Sequence, residues 1–339
     1  MKNGLRKITK GAATRMPFPI QTLIRLSGQK LLLPVYHLCS PQPVPHVQHL
    51  YRVHTNEEFR ADMETLLRYY EPIGLRELLA VMRGEQQLRK PAFWLSFDDG
   101  LREVKEQAVP ILQELGIPAT LFLNNHFLDN EALFYRFKAS LLVEKLEKEP
   151  PAAALKEKIT EMLGASESSG IQSQILTITY AQQSLLDELA VLLSVDFNRY
   201  LTEQQPYLTR TEVHALLAAG FTIGGHSLDH PEFRFLSLKE QLRQGTESVR
   251  QLVAEFALDY RVFAFPFTDF GVKGPWFAAM LGKELDASFG SAGLKQDSFP
   301  MHGQRFPMEG TDRPAEERIR AEYVYYLFKG LVGKNRIRR

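Results

Sequence analysis

Two adjacent carboxylates, Asp98 and Asp99, end the apolar run Phe93-Trp94-Leu95-Ser96-Phe97, and Gly100 follows them. Charges this close repel, and both groups ionise readily only where a cation or hydrogen-bond donors compensate. The bland alternative is a solvated turn, the ordinary setting of Asp-Asp-Gly. A second group of chemically capable residues lies in "GGHSLDHPEF", residues 224–233. His226 and His230 are four positions apart, and on a helical turn such residues share a face. One carboxylate and two imidazoles, with positions left open for water, make a ligand set for a catalytic divalent metal. The ion would also supply the positive charge that the aspartate pair lacks. An H-x-x-x-H pair alone is more often chance than a site. Here both groups follow inferred strands, and in α/β sheets and barrels ligands bind at the carboxyl ends of strands.

The elements that must position these residues alternate along the chain. "LLLPVYH" (31–37), residues 92–97, "ATLFLN" (119–124), "GFTIGGH" (220–226) and "YRVFAFPF" (260–267) read as strands. Between them, residues 57–70, 75–84, the stretch "VKEQAVPILQELG" and residues 237–256 show apolar spacing of three and four, the helical period. The last of these opens on a capping box, Ser237 and Glu240. Such alternation predicts an α/β fold with a mostly parallel sheet or barrel. From His126 to Gln205 the alternation stops and the pattern is helical throughout, broken by "GASESSG" at 164–170.

Taken in order, "LSFDDG", "HSLDHP" and "FAFPF" (263–267) resemble the motifs of the polysaccharide deacetylases, the NodB homology domain. The resemblance covers residues 31–126 and 207–310. It implies a distorted (β/α) barrel of about seven strands over 31–310, with a helical insertion at 127–206. A basic segment, 1–30, would precede the barrel, and an amphipathic helix with a basic tail, 311–339, would follow it. By the family pattern Asp98 is the general base. Asp99, His226 and His230 hold a divalent metal, with zinc the first choice. The third motif offers the backbone N–H of Phe267 to the oxyanion. Two departures stand out. Ala264 occupies the place of the family's arginine, two residues before Pro266, and the late Leu-x-His-Asp element that supplies the general acid is absent. Arg305, in "MHGQRFPME" (301–309), is the expected substitute for the guanidinium. His37, at the end of the first strand, is the expected substitute for the acid, and some branches of the family begin with a similar Tyr-His. His302 reads equally as a loop histidine or a catalytic one. Asp269 reads as a turn cap that could also face the pocket. Phe134, Tyr135 and Phe137 read as insertion core, and Trp276 as helix packing.

The implied activity is metal-dependent removal of acetyl from an N-acetylated sugar in a polysaccharide, oligosaccharide or lipid-linked glycan. An O-deacetylase with the same site is one alternative, and a catalytically silent glycan-binding barrel is another. The composition constrains the rest. The single cysteine, Cys39, excludes an internal disulfide. No apolar stretch reaches transmembrane length, and no secretory signal is expected. Nucleic acid is not an expected partner. Of the net charge of +1, residues 1–30 contribute seven cations and residues 329–339 five, with no acid in either, so the body carries −11. With Ile319, Tyr323, Leu327 and Leu331 on one stripe and Val324, Phe328 and Val332 beside it, the C-terminal helix presents a wide apolar face. That face ends in Lys334, Arg336, Arg338 and Arg339. Packing on the barrel is one explanation. The other is a cytoplasmic enzyme held peripherally on the inner leaflet by its basic ends.

Overall fold

The structure, a computed structural model, describes residues 18–164 and 170–339. Residues 1–17 of the basic segment, and 165–169 of the 164–170 break, lie outside the described residues. Eight strands form the principal sheet: β1 (Pro34–Tyr36), β2 (Leu95–Phe97), β3 (Ala119–Leu123), β4 (Thr222–Gly225), β5 (Val262–Ala264), β6 (Ala287–Gly290), β7 (His302–Gln304) and β8 (Phe306–Pro307). Their order is β7-β6-β5-β4-β3-β2-β1-β8, and every pairing is parallel. Only Arg305 separates β7 from β8. The two edges of the sheet are therefore halves of one strand, pairing with β6 on one side and β1 on the other. The result is a near-closed barrel, seven strands around if that last strand is counted once.

The strands are short and buried on both faces, as parallel strands covered by helices must be. All of β3 is buried. Trp94 and Phe289 stack inside the barrel at 4.6 Å between ring centroids, with Phe122 at 5.7 Å from Phe289. This apolar layer is the floor beneath the carboxyl ends. On β4, a Cβ at Gly224 would come within 2.6 Å of Phe122, and one at Gly225 within 2.4 Å of Ser248 Oγ. The two glycines before His226 thus let the core and a covering helix close on the strand that carries it.

The helices in chain order are α1 (Ile20–Ser27), α2 (Asn56–Tyr69), α3 (Leu75–Met82), α4 (Val109–Leu115), α5 (Tyr135–Lys148), α6 (Ala153–Met162), α7 (Ile171–Ile175), α8 (Ser184–Leu193), α9 (Phe197–Gln204), α10 (Arg210–Ala218), α11 (Leu238–Phe256), α12 (Gly274–Met280) and α13 (Ala315–Leu331). Helices α5 to α9 lie between β3 and α10, where the strand pattern fails. The helix expected after Asp99 begins instead as a π-turn, Val104–Ala108, and becomes α4 only at Val109. Pro110 cannot donate to the turn before it, so the wider turn absorbs the missing bond. The capping box of α11 is half made. Ser237 Oγ accepts from Glu240 N at 3.3 Å, but the Glu240 carboxylate turns to Arg243.

Helix α13 divides in two. Ile319 and Tyr323 are buried in the core that includes Ile20, Leu23 and Ile24 of α1, whereas Phe328, Leu331 and Val332 are exposed. The tail after it pairs as a strand, Arg336–Ile337 with Gln296–Asp297. The expectation of four tail cations facing outward is corrected for Arg339: its side chain is buried against Asp269 and Asp297.

Candidate metal centre and active site

The β2 ladder continues one residue past the strand, with Asp98 N donating to Tyr36 O at 3.0 Å. Asp99 then turns into the left-handed region, φ 72°. That turn sends two neighbouring side chains to one place instead of to opposite faces. His226 extends β4 in the same manner, donating its N–H to Leu123 O at 2.8 Å. The helical turn expected from His226 to His230 is absent. Ser227 and His230 have φ of 70° and 63°, and Ser227 Oγ accepts the His230 N–H at 3.0 Å. An irregular turn with a side-chain hydrogen bond brings the two imidazoles together where a helix was predicted.

The three groups converge. Asp99 Oδ1 lies 3.1 Å from His230 Nε2 and 3.5 Å from His226 Nε2. One ligand atom from each residue falls within 4.8 Å of the others. Asp99 Oδ1 is buried yet has no well-formed hydrogen bond, which a cation between the three would explain. The Ala264 carbonyl accepts from His226 Nδ1 at 2.9 Å, leaving the Nε2 lone pair for a ligand. Burial, opposed only in part by the nearby carboxylates, lowers the His226 pKa to about 4, so the ring is neutral at pH 7 as a metal ligand must be. The residues present fit a divalent ion, and a carboxylate with two imidazoles suits zinc. His226→Ala and His230→Ala are each expected to strip a stoichiometric metal from the purified protein by elemental analysis. Full occupancy in either variant would remove this assignment.

Arg305 lies beside Asp98. Its Nη1 and Nη2 donate to the two carboxylate oxygens at 2.6 and 2.7 Å, Nη1 also reaches Ser96 Oγ at 3.1 Å, and Nε reaches Gly290 O at 3.3 Å. The side chain rests over Phe122 with the guanidinium 5.2 Å from the ring centroid. Burial alone would raise the Asp98 pKa; the Arg305 charge, with smaller help from His226, overcomes it and holds the carboxyl below its ordinary value. The position left open by Ala264 is thus filled from β7–β8, one strand beyond β6.

His37 follows β1. Its Nδ1 meets Glu309 Oε2 at 2.5 Å, while Glu309 Oε1 accepts the backbone N–H of His37 and Leu38 at 2.7 and 3.1 Å. Burial would keep the imidazole neutral, but the Glu309 carboxylate reverses that and raises the pKa to about 10. Glu309 is absent from the expected residues. The signal that could have found it is its place at the end of "MHGQRFPME", the segment already expected to reach the site.

Phe267 sits in the loop after β5 with φ 55°, a left-handed pose unusual for an aromatic residue. Its N–H donates to nothing among the described residues. Phe134 reaches in from the helical segment: its ring is 4.3 Å from His230 and 6.0 Å from Phe267. It is buried core, as expected, yet it also walls the metal centre. Trp276 is fully buried in helix packing. His302 and Asp269 are not brought to Asp99, His226 and His230. They meet each other at 3.1 Å in a separate buried cluster with Arg339.

A family model described as polysaccharide deacetylase matches residues 85–283. Among solved structures, the fold is similar to that of the Streptococcus pyogenes deacetylase PplD in complex with acetate. That likeness has a TM-score of 0.52 and 12% identity, over 84% of this chain and 95% of that one. It is also similar to IcaB from Ammonifex degensii, with a TM-score of 0.51 and 14% identity over 87% of this chain and 96% of the other. No curated protein matches.

Proposed function

The chain belongs to the polysaccharide deacetylase family, and we propose that it hydrolyses the acetyl group of an N-acetylated sugar in a polysaccharide, oligosaccharide or lipid-linked glycan. The observation that carries this reading is one buried site in which Asp99, His226 and His230 converge beside an Asp98 gripped by Arg305. A divalent metal, zinc by its ligand set, would supply Lewis acidity toward the acetyl carbonyl and a water acidified toward neutral pH. Asp98, kept ionised and oriented by Arg305, accepts a proton from the attacking water. The Phe267 N–H donates to the developing oxyanion. His37 carries the proton that the leaving amine requires, and Glu309 keeps it charged. Acetate and a free amine result. Acetate release from a panel of N- and O-acetylated saccharides, with metal content measured on the same sample, tests the reading. A fully metallated protein that releases nothing from the panel supports the silent glycan-binding barrel. Release confined to O-acetyl substrates supports the esterase.

The His37–Glu309 pair predicts a pH dependence. With a folded pKa of about 10, the imidazolium persists through neutral pH. Its contribution is complete below the unfolded value, near 6.5, and is lost as pH rises through about 10. Glu309→Gln is expected to move the alkaline limb of the pH–rate profile down toward the ordinary histidine range. An unmoved limb would exclude His37 as the acid.

The exposed Phe328, Leu331 and Val332 adjoin the exposed Lys334 and Arg338, and no helix of the described residues is long and apolar enough to cross a membrane. This end of α13 supports a peripheral contact with an anionic leaflet on the cytoplasmic side, where each basic residue contributes about 1 kcal/mol. Co-sedimentation with anionic vesicles is expected to weaken as salt rises and to fall further in Leu331→Glu. Absence of binding at low salt excludes it.

A further inference from the structure

We infer that Arg339 is a positioning residue for the Phe267 loop, acting from the outer side of the barrel. The inference rests on the role given above to the Phe267 N–H. Phe267 lies in a tight turn, with Thr268 N donating to Pro266 O at 2.5 Å, and its left-handed backbone needs support from its surroundings. That support comes through Asp269, two residues on. Asp269 Oδ1 accepts Ser291 N at 3.3 Å, and Ser291 Oγ donates to Phe267 O at 3.2 Å. Asp269 Oδ2 accepts from His302 Nε2 at 3.1 Å, from Gln304 Nε2 at 2.8 Å and from Arg339 Nη2.

Arg339 completes the arrangement. Its Nη1 donates to the backbone carbonyl of Asp269 at 2.9 Å, and its Nη2 also reaches Asp297 Oδ2 at 2.7 Å. Its guanidinium lies 4.5 Å from the centroid of Phe277. The side chains of Arg339, Asp269 and Asp297 are 4, 3 and 0% exposed. Asp269, Asp297 and His302 are by type and spacing a possible metal cluster, but the guanidinium already supplies the cation. Gly290 makes the arrangement possible, since a Cβ there would stand 2.3 Å from Asp269 Cγ. Without Arg339, two carboxylates are left buried and mutually repelling. Asp269 is then driven outward, taking with it the loop that aims the Phe267 N–H.

The test compares wild type with Arg339→Ala, Arg339→Lys and Asp297→Asn by amide hydrogen exchange, metal content and steady-state kinetics. In Arg339→Ala, exchange is expected to quicken across residues 265–272 while β2 stays protected and the metal stays bound. Turnover should fall about ten- to a hundredfold with KM little changed, the scale of a small misplacement of a catalytic group. Arg339→Lys should recover part of both losses, since an ammonium brings the charge without the planar fork. Asp297→Asn, which keeps the Arg339–Asp269 contacts, should show a smaller change in the same segment, and it decides the matter if Arg339→Ala is not recovered folded. Unchanged exchange at 265–272, or quickening spread evenly through the barrel with loss of metal, overturns the inference. If the wild type releases no acetate, the deacetylase reading falls, while the exchange pattern still decides whether Arg339 holds the loop.

Discussion

Asp98→Asn is expected to retain its metal and to lose acetate release by about a hundredfold or more, the scale of general-base catalysis. The substitution is nearly isosteric, but it removes the charge opposite Arg305 and turns an amide NH2 toward one of the two guanidinium donors, so part of the loss comes from a weakened Arg305 contact. The larger part is that an amide oxygen does not accept a proton at neutral pH. The three atoms placed to hold a metal would be those of Asp99, His226 and His230, and Asp98 Oδ2 stands 3.8 Å from His226 Nε2. Asp99→Asn should therefore behave differently and lose the metal together with activity. Elemental analysis of both variants beside acetate release separates the two roles. If Asp98→Asn loses metal and Asp99→Asn keeps it, the assignments of base and ligand are exchanged.

Arg305→Ala should be the most destabilising single change in the site. It leaves Asp98 buried without its cation, and breaking a buried ion pair from one side costs about 3–5 kcal/mol. It also removes the donors to Ser96 Oγ and Gly290 O at the seam of the barrel. The loss has a predictable pH dependence. The folded pKa of Asp98 is depressed, so the pair stabilises the protein above the unfolded value, near about 3.9. The contribution is lost as pH falls through the lower folded value. In the variant, burial is unopposed by the guanidinium and the carboxyl pKa rises. The acid limb of the pH–rate profile should shift upward with it, while the metal remains bound. Arg305→Lys should restore only part, because an ammonium cannot span both carboxylate oxygens. Denaturant titrations at neutral and acidic pH measure the effect. Equal midpoints for wild type and Arg305→Ala would show that the pair contributes nothing.

The sequence announces the parts of the fold that repeat a simple pattern. Residues 119–124 and 260–267 show their strands because continuous apolar runs bounded by turn residues leave few alternatives. Residues 57–70 show a helix through their spacing. The strand Ala287–Gly290 carries no such mark. Its residues are mostly small, and it is a strand because β5 and β7 flank it, a tertiary cause invisible to a local pattern. The pairing of Arg336–Ile337 with Gln296–Asp297 is hidden for the same reason. In the site, Asp98, Asp99, His226 and His230 are legible because their spacing is local to two turns. Arg305 is legible as a cation needed to fill a gap, although its reach to Asp98 spans 207 residues. Glu309 is not, since its partner His37 lies 272 positions away and nothing nearby marks a carboxylate as one that holds an imidazole. Arg339 is misread for a physical reason: a basic tail looks solvated unless the acids that bury it are known.

The position of Arg305, between β7 and β8, bears on how the protein comes into being. During synthesis the residues that would hold the metal are all made by position 230, whereas the strand that joins the two edges of the sheet, residues 302–307, comes last of the eight. A nascent chain therefore carries Asp98 for a long interval without the guanidinium that opposes its charge, and with β1 and β6 unpartnered at their free edges. Contacts of such long sequence separation form late, after the entropy of closing large loops has been met. Sealing the barrel and pairing Asp98 with its guanidinium are then one event, and a chain cut short before Arg305 would have neither.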